Sequence, residues 1–224
     1  MKVSLIGRTK GLLNIPAQAA ALCYDSTNAE KSLAGALSSG HESVIEHQVY
    51  SFQVEGVSRV LLAQLTRHRM ASFSVQSQRY CGVDKQDVII PPTISENEQL
   101  AKEYVEIVKM NRKFYQHMVD LEGIPEEDAR YITPQGITTK LIMTANAREW
   151  KHILALRMCN RAQWEIRMLM DEIYKILVKE DPVIFADAGP GCVRGACPEG
   201  RRCCGKSRKE ELKSMIDNAK KGSA

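Results

Sequence analysis

Two rhythms of apolar and polar positions run along the chain and place its elements before any chemistry is considered. A period of two marks a half-buried strand, because successive side chains point to opposite faces. A spacing of three and four marks one stripe of a helix. The shorter period occurs from Lys2 to Gly7, as a short edge strand, and at Tyr50, Phe52 and Val54, which alternate with Ser51, Gln53 and Glu55. Val44 and Ile45 read as the extended opening of that second strand. Gln78 to Ile90 also reads as extended and is closed by Pro91-Pro92. Ile137 to Ala145 has the β-branched content of a further strand, ended by Asn146-Ala147-Arg148.

The longer period predicts helices over Pro16 to Tyr24, with Pro16 in the first turn, and over Asn28 to Ser39, with Asn28 as N-cap and Gly40 as terminator. Val57 to Arg69 follows, with Val57, Val60, Leu61 and Leu65 on one side. Residues 94 to 121 form a long amphipathic helix whose Leu100, Tyr104, Ile107, Val108, Phe114, Tyr115 and Met118 read as core. Gly123-Ile124-Pro125 breaks it, and Glu126 to Tyr131 begins a short new turn. Glu149 to Met158 is helical, as is Ala162 to Lys179, which buries Ile166, Leu169, Met170, Ile173 and Leu177 along one stripe. This order of elements predicts a single-domain α+β fold, with a central mixed or antiparallel sheet flanked by helices.

The chain has 224 residues and 44% hydrophobic content, enough for a real core in one domain or in two closely joined halves. The formal charge of +4 changes the picture only at the C-terminus, where residues 190 to 224 hold nine basic and four acidic side chains. The natural division is therefore a folded domain over 1–189 and a basic, cysteine-rich tail over 190–224. With the excess charge confined to the tail and aromatics at 6%, neither a general affinity for nucleic acid nor a stacking platform for bases is implied. Nowhere does the chain offer the roughly 18 uninterrupted apolar residues of a membrane span. Seven cysteines, with Cys23, Cys81 and Cys159 scattered, read as reduced thiols of a cytoplasmic protein. Cys192, Cys197, Cys203 and Cys204 lack the paired spacing of zinc ribbons or fingers. His41, Glu42, Glu46 and His47 are not arranged as a helix-borne metal set either, so no metal site is assigned; His47 reads as a satisfied structural histidine.

Candidate chemistry concentrates in residues 67–80, Arg-His-Arg-Met-Ala-Ser-Phe-Ser-Val-Gln-Ser-Gln-Arg-Tyr. Three adjacent cation-capable side chains fan out in different directions, and guanidinium forks grip phosphate with two bonds. The plain reading of the triplet alone is a solvated helix end. The full spacing is more specific. Arg67-His68-Arg69, seven residues, Ser77, then Gln78-Arg79-Tyr80 resembles the signature of the flavin-dependent thymidylate synthases, and the resemblance extends from about Gly40 to Glu165.

That resemblance implies the family's fold. It implies reductive methylation of dUMP to dTMP with methylenetetrahydrofolate as one-carbon donor, FAD as cofactor, NADPH as reductant and no enzyme nucleophile on the pyrimidine. It implies a homotetramer with shared active sites. Arg157 would be catalytic, facing the uracil ring. Ser43, Arg67, His68, Arg69, Asn146, Ala147, Arg148 and His152 would hold the flavin. Gln64, Arg67, Val75, Gln76, Ser77, Gln78, Arg79, Arg130 and Arg157 would hold the nucleotide. Many members carry Asn and Glu where this chain has Ser74 and Val75, so only backbone contacts carry over there, and His152 stands where others often have Asn. The competing readings are a nucleic-acid-binding module built on the arginines and the basic tail, and a regulatory protein with a zinc-binding tail.

Overall fold

The computed structural model describes residues 1–11, 13–83 and 86–221, with the backbone alone at 220 and 221. Strand β1 (Lys2–Arg8) is followed by helices α1 (Asn14–Cys23) and α2 (Ala29–Ser38). Asn28 caps α2 as its sequence predicts, its Oδ1 accepting from the Lys31 N–H at 3.0 Å. The helix is released at Gly40, whose φ of 75° glycine adopts at little cost. Glu42–His47 then form a 3-10 turn and not the extended entry expected. Adjacent Val44 and Ile45 are both buried, which suits a turn better than a strand covered on one face, where neighbours alternate. His47, expected as a satisfied structural histidine, is exposed.

Strand β2 (Val49–Ser58) buries Tyr50, Phe52 and Val54, as their period requires. The helix expected over 57–69 is shorter. Ser58 ends the strand and caps α3 (Arg59–Leu65), its Oγ accepting from the Leu61 N–H at 3.1 Å, and the helix stops before the Arg-His-Arg triplet. Strand β3 (Ala71–Val75) was not expected. Residues 78–90, expected to be extended, are turns and loop in which Val88 pairs with Ile137; Asp84 and Lys85 lie outside the described residues. Helices α4 (Pro92–Ser95) and α5 (Glu98–Gln116) lead through a wider π turn at His117–Leu121 to α6 (Glu126–Ala129). Strand β4 (Thr138–Asn146) passes directly into α7 (Ala147–Arg157), capped by Asn146, and then come α8 (Trp164–Glu180), α9 (Pro182–Phe185) and α10 (Lys209–Lys221). The four strands form one antiparallel sheet in the order β1-β2-β4-β3, flanked by helices, as the α+β expectation requires. No helix among the described residues is long and apolar enough to cross a membrane.

The chain divides into two compact units: Met1–Lys2, Val54–Arg67 and Phe73–Ile142 in the first, Val3–Gln53, His68–Ser72 and Met143–Ala224 in the second. The first gathers Val83, Tyr115, Ala129 and Ile137 into a small core, with Met118, Val119 and Ile132 against it. That core is too small to cover the apolar stripe of α5. Val108 and Tyr115 are buried, but Leu100, Ile107 and Phe114 remain 44%, 53% and 52% exposed, contrary to the expectation that all were core.

The second unit has the larger core. Trp150 meets Phe52 edge to face at 5.2 Å and donates its indole N–H to the Tyr50 carbonyl, while the Tyr50 ring packs on Phe185 at 5.4 Å. Burying aromatics of this size stabilises the fold by about 2 kcal/mol each. Burial and the bond it donates to Asp181 at 2.6 Å push the Tyr50 hydroxyl well above the usual phenol range. Ile166, Leu169, Met170, Ile173 and Leu177 of α8 are all buried. The charged C-terminal stretch is helical over Lys209–Lys221 but not solvated all round. Leu212 is buried, and buried Arg208 forks onto Asp171 of α8 at 2.8 and 3.0 Å and donates to the Met158 carbonyl.

Candidate active site

In the first unit, Ser58 starts α3 with Arg59 as its first residue, and α6 ends at Arg130. Arg59, Gln78, Arg130, Tyr131, Thr133 and Gln135 line an open pocket of about 250 Å³. Arg59 donates from a terminal nitrogen to the Gln76 carbonyl at 2.9 Å, and Arg130 donates Nε to the Glu127 carbonyl at 3.0 Å. Both acceptors are neutral. Arg59 Nε and the Nε2 of buried Gln78 have no hydrogen-bond partner among the described residues. Burial, and then the charge of Arg130, lower the Arg59 pKa. Glu127 is itself neutralised by Arg79, at 2.7 Å. The Ser77 hydroxyl accepts from the Arg79 N–H at 3.1 Å, which shapes the turn after Gln76. A pocket with cations and an unsatisfied amide donor on its wall can receive an anion, and phosphate matches the guanidinium fork.

In the second unit, Glu149, His152 and Arg157 of α7 all approach His68. Arg157, in the last turn where a cation suits the helix dipole, donates Nε to His68 Nε2 at 3.0 Å. His68 is 5% exposed, and burial, Arg157 and His152 together pull its pKa down to about 4. The imidazole is therefore neutral at pH 7, with its proton on Nδ1. Glu149 Oε1 stands 3.7 Å from Nδ1, too long for a direct hydrogen bond, and with a neutral ring this is no salt bridge. Burial raises the Glu149 pKa. The His68 and His152 rings lie 6.2 Å apart, edge to face.

The other residues named from the sequence fall as follows. Gln64, Arg67, Val75 and Gln76 belong to the first unit, with Arg67 exposed; Ser43, Arg69 and Arg148 are exposed in the second. Arg148 holds Glu46 at 2.6 Å, and Asn146 spends its side-chain oxygen on the α7 cap. Ala147 is fully buried and donates its N–H to the Gln48 carbonyl. Arg59 and Glu149 were not anticipated. The signal for Glu149 was its place directly after Asn146-Ala147-Arg148; for Arg59 only burial reveals it.

The tail cysteines sit elsewhere in the second unit. Cys159, Cys192, Cys197, Cys203 and Cys204 line a cavity of about 410 Å³ that includes none of the signature residues. All are free thiols, and no group of three His, Cys, Asp or Glu among the described residues is placed to hold a metal.

Residues 4–183 match a family model described as thymidylate synthase complementing protein. The chain is 40% identical over 221 residues to a flavin-dependent thymidylate synthase of Geobacter sulfurreducens, covering 92% of this chain and 95% of the relative. A protein of the same name from Clostridium tetani is 39% identical over 234 residues (92% and 94%), and one from Pyrococcus furiosus 37% over 220 residues (89% and 90%).

Proposed function

Because the chain belongs to the flavin-dependent thymidylate synthase family, we propose that it converts dUMP to dTMP with methylenetetrahydrofolate as one-carbon donor, FAD as cofactor and NADPH as reductant. No enzyme nucleophile is placed on the pyrimidine. FAD, when bound, supplies the redox chemistry that protein side chains lack. The donor set of the second unit fits it: Arg69 offers an exposed guanidinium group for a pyrophosphate, and Ser43, Asn146 and His152 offer short-range hydrogen-bonding groups. The backbone of Ala147 lies between the last two.

The observation that carries the reading is the Arg157–His68 pair. Methylation at carbon five needs electron density there, which the ring supplies when negative charge rests on its nitrogen and carbonyl oxygen before that carbon attacks. A cation held still in a dry site stabilises such charge far better than one in water. Neutral His68 serves Arg157 as a fixed acceptor through Nε2, orienting the guanidinium without adding a competing charge. Arg130 and Arg79 are assigned to the nucleotide phosphate, with Gln64, Val75, Gln76, Ser77 and Gln78 completing nucleotide recognition through backbone and amide groups. The assembly proposed is a homotetramer with shared active sites; the exposed apolar residues of α5 offer a face for a subunit contact, though not its number of subunits.

The test is Arg157→Ala. The variant should retain flavin, with its absorbance unchanged, while dTMP formation drops by about a hundredfold or more, the size of a lost transition-state donor. Undiminished turnover would remove Arg157 from its role.

A further inference from the structure

Five of the chain's seven cysteines line one cavity of the second unit, and the reaction proposed above uses none of them. The segment that carries four of the five is an ordered structure, although it lies beyond the family match. Arg194 donates to the Asp187 carbonyl at 2.8 Å, the Ser207 hydroxyl donates to the Cys192 carbonyl at 3.2 Å, and Arg208 fastens the segment to Met158 and Asp171. Gly191 lies so close to the Pro198 ring that a Cβ there would stand 2.8 Å from it, which presses the backbone beside Cys192 onto the residue after Cys197. Opposite stands the turn that follows α7, where Asn160 donates to the Lys206 carbonyl at 3.0 Å and Arg161 to the Cys203 carbonyl at 3.4 Å. A cysteine kept for packing is buried and inert. Here Cys203 is exposed, and Cys192, Cys197 and Cys204 are only half-buried.

Within the group, Cys197 and Cys203 are in contact. A backbone hydrogen bond at Glu199 lowers the Cys197 pKa, but partial burial, the hydrogen bond and charge of Cys203 and the charge of Cys192 outweigh it, and the net direction is up. The 3-10 turn Gly200–Arg202 lies between the two cysteines, and Cys203 Sγ accepts from the Gly205 N–H at 3.3 Å, which fixes that side chain. Among the described residues no three ligands converge on one point, so the chemistry on offer is that of a pair of thiols.

We propose that Cys197 and Cys203 form a reversible dithiol–disulfide couple, a modification site that exchanges with low-molecular-weight disulfides. Exposed Cys203, as thiolate, attacks one sulfur of the small disulfide, whose S–S bond breaks and releases one half as a thiol carrying the Cys203 proton. Cys197 then gives up its proton and attacks the Cys203 sulfur, and the second half leaves as a thiol. Two protein thiols are oxidised by two electrons, and one small disulfide is reduced to two thiols. Where a cell keeps thiols reduced, such bonds are transient and serve catalysis or redox sensing. The couple does not rest on the thymidylate reading.

The test takes the full chain, reduced and freed of reductant, treats it with oxidised glutathione, blocks the remaining thiols by alkylation and maps the tryptic peptides by mass spectrometry. Cleavage after Arg194, Arg201, Arg202 and Lys206 puts the two cysteines on separate peptides, 195–201 and 203–206, so a bond between them joins fragments that dithiothreitol releases. Wild type and Cys204→Ser should yield the joined pair at rates within about twofold of each other, and Cys203→Ser should form it at least about tenfold more slowly. Cys197→Ser should stop at a mixed disulfide, with one glutathione held on Cys203. Absence of the joined pair in wild type, or its formation at the wild-type rate in Cys203→Ser, would overturn the proposal. Thiols that react only after a chelator is added would overturn it as well, by assigning the cluster to a bound metal.

Discussion

His68 shows how far a residue's surroundings can reverse what its type suggests. Set between two arginines, it reads as part of a cationic fan, yet it is buried, accepts from Arg157 and stays neutral at pH 7. Its folded pKa of about 4 lies below the unfolded value near 6.5, so between those limits the unfolded chain binds the extra proton. The stability that neutral His68 contributes is thus complete above about pH 6.5 and is lost as pH falls toward 4. Urea midpoints measured between pH 7 and pH 4.5 should fall more steeply for wild type than for His68→Gln; parallel curves would show that His68 titrates normally. The sequence singles out the cations at 67, 69 and 79 through the signature, and those at 130 and 157 through the wider resemblance. Arg59 is not singled out, since an arginine at a helix start looks like any solvated charge until its burial and its neighbour are seen.

At the scale of elements, capping chemistry was the most legible feature and short elements the least. Asn28 was read correctly as a cap. Asn97 caps α5 in the same way, accepting from the Leu100 N–H at 3.0 Å. Asn97→Ala should cost about 1 kcal/mol by urea denaturation, and no change would mean the cap is not formed in solution. The helix expected over 57–69 failed because a seven-residue helix offers too few turns for its period to be told from the end of a strand. Strand β3 lies inside the signature, where Ser72 and Ser74 face out while Ala71, Phe73 and Val75 are partly covered, a period of two too short to stand out from the polar run around it. A sequence rich in Lys and Glu reads as solvated, and only the fold shows that Arg208 finds Asp171 across 37 residues. Asp171→Ala leaves the buried guanidinium with Glu211 as its remaining carboxylate partner and should cost about 2 kcal/mol by urea denaturation, the size of a lost charge-assisted hydrogen bond; no measurable loss would mean that Glu211 alone satisfies Arg208.

For the molecule as a whole, the α+β class and the antiparallel sheet were legible from the rhythm of the chain, because β2 and β4 alternate cleanly and α8 keeps one apolar stripe. The sheet order was not: β4, last in sequence, inserts between β2 and β3, and nothing local in a strand says which neighbours it will find. The family match ends at residue 183, so the cysteine cavity, which draws on residues up to 207, lies largely beyond it. What the match and the two cationic sites support together is a reaction. The measurement that bears on it most directly is formation of dTMP from dUMP, followed by mass spectrometry, with purified protein, FAD, NADPH and methylenetetrahydrofolate each omitted in turn. Product should appear only when all are present and should collapse in Arg157→Ala. Folded protein that binds flavin yet yields no dTMP under the complete conditions would contradict thymidylate synthesis by this chain.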